Sequence, residues 1–151
     1  MTGMMTYKER LANEQRAVLL GIYSSIALSI LAECESISKT KILFLSFLCK
    51  PSLVNLRGIV SPNQKRELLS HAACNVSGKF EQLQRELPYI VDALALLVKS
   101  GCVNDMGNTY ILTLHGQELS AAFENAFYRR LAAEAATLDD AFVVLEVIRN
   151  V

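Results

Sequence analysis

ELPYIVDALALLVKSGCVNDMGNTYILTL, residues 86 to 114, is the stretch whose reading decides the fold. Ile90, Leu94, Leu97 and Val98 recur at helical spacing and predict a helix with one buried face over residues 88 to 100. Pro88 suits the first turn of that helix, where a missing N–H costs nothing. Gly101 follows the last periodic residue, the place for a left-handed C-cap. Two β-prone runs come next, CVND and NTYILT, and Gly107-Asn108 between them tolerates the positive φ of a tight hairpin turn.

A helix that ends on a glycine and runs straight into a small hairpin is how a winged helix-turn-helix closes. Many such domains bind DNA, and a helix that reads base edges carries Arg, Lys, Asn or Gln on its outward face. Here the face opposite the apolar stripe holds Tyr89, Asp92, Leu96 and Lys99, with Ala95 beside them. That mixed apolar face has no net charge, and it fits a protein contact better than a DNA groove. The same face also fits burial against the chain's own N-terminal helix.

The whole composition points the same way. Fifteen basic and fifteen acidic residues cancel, so no global field draws the chain to a polyanion or an anionic membrane. The hydrophobic fraction of 52% and mean hydropathy of +0.28 are high for 151 residues, so much apolar surface is either internal or covered by a partner. Cys34, Cys49, Cys74 and Cys102 are widely separated, with no C-x-x-C pair, and read as buried, reduced thiols of a cytoplasmic protein. The N-terminus has no signal-sequence pattern, which again makes the cytoplasm the expected location.

Upstream, residues 1–12 read as a flexible lead-in, and a helix is expected from Asn13. Its run AVLLGIYSSIALSILAE, residues 17 to 33, has no clearly polar face. At about sixteen residues, with Gly21, Ser24, Ser25 and Ser29 among them, it falls below the ~20 of a membrane span, so a central helix packed on several sides is the better expectation. A polar connector follows at 35–41, then ILFLSFLC at 42–49, taken as a buried helix, and a loop over 51–62. Ser61 and Pro62 suit the N-cap and first position of a helix running to Val76. Residues 75–78 break the chain, and Phe80 to Leu87 reads as a separate short helix ended by Pro88.

Beyond the hairpin, residues 114–136 read as one helix with a stripe of Leu119, Ala122, Phe123, Ala126 and Phe127. A last helix is expected from Thr137, with Asp140 in the capping-box position. Its clean apolar face is Leu138, Ala141, Phe142, Leu145 and Ile148, and Val143, Val144 and Val147 make the other side apolar too. The organisation expected is therefore a mainly α fold: a winged helix-turn-helix-like domain over 13–113 with a small hairpin wing, and a C-terminal helical pair over 114–151. That pair packs on the domain or on a partner.

Together these pieces resemble the middle component of bacterial ABC-three-component defence systems, the family that includes the small subunit of Lamassu-type systems. The resemblance rests on Asn13 before the long apolar helix, on KILFLSFLCKP at residues 41 to 51, and on the loop and helix that follow. It continues through the aromatic-led helix at Phe80, then Pro88, a helix, Gly101 and a hairpin. Ser46 stands where the family often has Pro, and His71 near where it often has an aromatic. The resemblance implies a non-catalytic subunit of an anti-phage or anti-plasmid complex. Its partners would be an SMC-like ATPase, through which DNA is mainly engaged, and an effector, commonly a nuclease.

Motifs for chemistry are sparse. No Gly-rich phosphate loop or nucleophile elbow occurs, so no cofactor is expected. His71 and Cys74 sit three apart on one helix, but a tetrahedral metal site needs further ligands, and His115 and Cys102 are not spaced as a second pair. Asp139-Asp140 fits a helix N-terminus better than acid–base work. Arg129-Arg130 and Lys65-Arg66 are each diluted by nearby Glu. Arg57, Lys65 and Arg66 are the candidates for touching a DNA backbone held by a partner. The partner-binding candidates are Tyr89, Asp92, Leu96, Lys99, Phe142 and Leu145. An operator-binding transcription regulator is the main rival reading, and a small membrane-associated protein is the third.

Overall fold

A computed structural model describes residues 6–34, 36–50, 67–123 and 125–151. Among them are seven α-helices and one small antiparallel sheet. The first helix, α1 (Tyr7–Glu33), begins six residues before Asn13. Its start is set by a capping box: Thr6 Oγ1 accepts from Glu9 N–H, and the Glu9 carboxylate accepts from Thr6 N–H. Leu11 and Val18 in its first half are exposed, whereas Tyr23, Ile26, Ala27, Ile30 and Leu31 in its second half are buried. The second half has no polar face because other elements pack on it from several sides. By length and composition alone α1 could cross a membrane, and 39% of its most apolar window is buried within the protein.

The residues between α1 and the next helix form a strand as well as a connector. Alternation in Ser36–Ser38 (β1) sends Ile37 into the core, and Ile37 pairs opposite Tyr110. Helix α2 (Lys39–Cys49) starts on Ser38, whose hydroxyl accepts from Lys41 N–H, and buries Ile42, Leu45, Phe47 and Leu48. The loop at 51–62 and the Ser61-Pro62 helix start fall outside the described residues. Helix α3 (Glu67–Cys74) ends in turns that reach Gly78 at φ +76°.

One continuous helix, α4 (Phe80–Lys99), then replaces the two expected on either side of Pro88. Proline removes one hydrogen bond from the helix interior. Pro88 lies on the exposed side, where water can satisfy the freed carbonyl, and Leu83, Glu86, Ile90, Leu94 and Leu97 form one buried stripe across it. Burial of that stripe outweighs the local penalty. The helix closes as expected on Gly101 at φ +81°, with Cys102 N–H bonded to Leu97 O and Gly101 N–H to Val98 O. Strands β2 (Val103–Asp105) and β3 (Thr109–Leu112) form the hairpin around Gly107 at φ +95°. Their sheet has the order β1-β3-β2.

The expected 114–136 helix is interrupted. It is divided into α5 (Leu114–Ser120), a single 3-10 turn at Ala121–Phe123, and α6 (Ala126–Ala136). Asn125 causes the restart, its Oδ1 accepting from the N–H groups of Phe127 and Tyr128. In consequence Leu119, Ala122, Phe123 and Ala126 stay exposed, and Phe127 alone of that stripe is buried. Thr137 ends α6 rather than starting the last helix, its hydroxyl donating to Glu134 O, and α7 (Asp140–Asn150) begins after Asp139. Leu131, Ala132 and Ala135 of α6 and Val143 and Val147 of α7 join the same buried core as α1, α2 and α4.

Candidate partner-binding surfaces

The outward side of α4 carries Glu81, Arg85, Asp92 and Lys99, two acids and two bases, around Pro88, Val91, Ala95 and Leu96. The first half of α1 runs alongside and takes part of this side for the protein itself. Arg16 Nη2 bonds Asp92 Oδ2 at 3.0 Å, and Tyr89 is half-buried facing α1. Val91 and Leu96 remain about half exposed, with Lys99 open beside them. Of the four candidates on this helix, Tyr89 and Asp92 thus contact the chain's own α1, and Leu96 and Lys99, though exposed, border a cleft shared with Arg16 and Leu20 of α1.

On α7 the outcome is the reverse of ordinary amphipathic packing. The helix turns Val143 and Val147 inward, fully buried, and leaves Phe142 at 50%, Leu145 at 65% and Ile148 at 48% exposure. Of the two apolar sides expected on this helix, the valine side packs inward and the Phe142–Leu145–Ile148 side faces solvent. Phe142 and Leu145 therefore stand in one exposed apolar strip, which Ile148 extends.

Between α1 and α4 lies a groove of about 700 Å³, walled by Leu11, Val18, Leu19, Ile22 and Tyr89. Its floor holds a buried polar group of three. Glu86 Oε1 accepts from Tyr23 Oη at 2.6 Å and from Lys50 Nζ at 2.7 Å. Burial pushes the Glu86 carboxyl up, but hydrogen bonds from Lys50, Tyr23 and Gln82 outweigh it and hold the group below the usual carboxylate range. Burial and the neighbouring carboxylate push the Tyr23 phenol far up, so it stays a donor. This group escaped the sequence reading, although a signal was present: Glu86 sits on the Leu83–Ile90–Leu94 stripe, and an acid on a buried stripe needs a partner.

Part of the positive charge is locally neutralised. Arg16, Lys39, Lys41, Lys50, Arg129 and Arg149 each pair with an acid, and the hairpin itself has Asp105 as its only charge. Arg57, Lys65 and Arg66 lie outside the described residues. His71 and Cys74 share α3, and among the described residues no cluster of three His, Cys, Asp or Glu side chains assembles. Cys34, Cys49 and Cys102 are buried as expected, but Cys74 is exposed. Burial pushes the Cys49 thiol well up, which keeps it protonated and inert. Compared with protein-family models, curated proteins and solved structures, the chain has no match.

Proposed function

We propose that this chain is a non-enzymatic assembly subunit built on a winged-helix plan. It would bridge or regulate an SMC-like ATPase and an effector nuclease in cytoplasmic defence against phage or plasmids. The helix leading into a hairpin, with a third strand in the order β1-β3-β2, supports the winged-helix plan. One observation carries the assembly role: large apolar side chains stand exposed on two helices, Val91 and Leu96 on α4 and Phe142, Leu145 and Ile148 on α7, on a body whose charges cancel. The ATPase would engage DNA and hydrolyse ATP, and this chain would pass that state to the effector through apolar contacts.

Co-purification of the tagged chain with the two partners tests the reading. Leu96→Asp places a charge in the contact and is expected to lose one partner while the other is retained. Unchanged recovery of both partners by Leu96→Asp and by Phe142→Asp would overturn it. The rival, an operator-binding regulator, requires duplex binding by the isolated chain that weakens steeply with salt. A hairpin without Lys or Arg gives that rival little to hold phosphate with.

A further inference from the structure

We propose that the groove between α1 and α4 binds an uncharged small molecule, with an apolar ring or acyl body that ends in one hydrogen-bond acceptor such as a ketone, ester or amide carbonyl. Size is the first argument. The groove measures about 700 Å³, inside the ~300–1,000 Å³ of small-molecule sites, and its wall from Leu11 to Ile22 runs roughly 16 Å along α1. That wall is apolar, and Leu11 and Val18 in it are 40% and 60% exposed.

Charge is the second. The cations lining the groove, Lys50 and Arg85, are matched by Glu86 and Glu14, so it has no net charge to hold an ion. An ion placed there would lose its water without compensation.

The buried polar group at the floor is the third. Donors from Lys50, Tyr23 and Gln82 converge on the Glu86 carboxylate and take most of its roughly four lone-pair positions. Lys50 is left in the opposite condition. Of the three N–H groups of an ammonium, one goes to Glu86, and among the described residues no second acceptor meets this side chain. It is only 13% exposed and it lines the groove, so its remaining donors have little bulk water to turn to. The floor therefore has donors to spare and few acceptors, which a ligand carbonyl matches. The apolar edge of a partner helix would cover the same N–H groups without an acceptor, since its own carbonyls are bonded internally, and is the poorer occupant. The site uses neither Leu96 nor the outer face of α7, so it stands apart from the assembly role proposed above.

Prodan, an uncharged naphthyl ketone whose emission moves to the blue in apolar surroundings, is the probe. With the dye at about 1 µM, titration of the full chain to about 500 µM is expected to give a saturable blue shift, half complete on the order of 100 µM. Displacement then reads the acceptor. Acetonaphthone is expected to compete about tenfold more tightly than naphthalene, which has the ring and no carbonyl, and naphthoate no better than acetonaphthone. Val18→Asp puts a charge in the exposed wall, where the fold tolerates it, and is expected to weaken prodan at least about tenfold, whereas Phe142→Asp on α7 leaves it unchanged. Lys50→Met with Glu86→Leu removes donors and carboxylate together, so ring binding is expected to remain and the preference for the ketone to vanish.

No saturable shift in the natural chain overturns the proposal, as does a shift that survives Val18→Asp or is lost in Phe142→Asp. Naphthalene competing as well as acetonaphthone removes the acceptor requirement, and naphthoate competing better makes this an anion site; either result refutes it. A natural chain that ignores prodan and sediments as a dimer broken by Val18→Asp gives the groove to a second copy instead.

Discussion

Replacing Lys50 with Met isolates the charge of the buried group beneath the α1–α4 groove, because the two side chains are similar in length and volume. Lys50 and Glu86 side chains are only 13% and 5% exposed, so solvent screens their attraction little. Without the ammonium, Glu86 keeps the Tyr23 hydroxyl but becomes an uncompensated buried carboxylate. Breaking a buried pair from one side costs about 3 to 5 kcal/mol. That is a large share of the roughly 5 to 15 kcal/mol that holds a domain of this size together.

The pH dependence supplies an independent check. In the natural chain the Glu86 carboxyl is held below its unfolded value, so its contribution is complete above that value and is lost as pH falls through the folded one. In Lys50→Met desolvation dominates, the folded value rises above the unfolded one, and protonation relieves the cost. The stability gap between the two chains is therefore widest at about pH 7.5 and narrows towards about pH 4.5. Urea unfolding followed by far-UV circular dichroism at both pH values measures it. A gap below about 1 kcal/mol at the higher pH, or one that does not narrow on acidification, refutes the reasoning. The double change Lys50→Met with Glu86→Leu is expected to recover most of the loss, since it removes both charges.

Other substitutions probe the fold at single points. Gly116→Ala drives a Cβ into the Cys102 carbonyl and to within 2.6 Å of Leu112 Cδ1, so a loss of about 2 kcal/mol or more is expected in thermal unfolding. Gly21→Ala, where a Cβ meets nothing within 4 Å, is expected to raise stability by up to about 1 kcal/mol. Asn125→Ala removes both bonds that start α6 and is expected to cost about 1 kcal/mol, read from the urea midpoint. Ser46→Ala deletes a fully buried hydroxyl with no hydrogen-bond partner and is expected to stabilise by about 1 kcal/mol; a loss of that size would mean the hydroxyl has a role that its surroundings do not reveal.

The parts of the fold set by local chemistry were legible from the chain. Gly101 and Gly107 marked the helix end and the hairpin turn because only positive φ closes them, and both glycines adopt it. ILFLSFLC read as helix and is helix, even though its periodicity could not separate helix from strand. Decisions made by tertiary packing were harder to see. Pro88 looked like a boundary, yet the stripe from Leu83 to Leu97 needs the helix to continue through it. Ser36–Ser38 was too short and polar to announce a strand, and it exists because β3 offers it an edge. On α7 both faces are apolar, so hydropathy could not say which would turn inward; the valines did, leaving Phe142, Leu145 and Ile148 outside. The Tyr23–Glu86–Lys50 group joins residues far apart in sequence, beyond the reach of local periodicity.

The measurement that bears most directly on the assembly role is quantitative co-purification of the tagged full chain, natural and Leu96→Asp, from cells that express it with its partners. The natural chain is expected to hold a coiled-coil ATPase and an effector in a fixed ratio, and the variant to lose one of them. A natural chain that emerges alone and instead binds bare duplex with steep salt dependence contradicts the account.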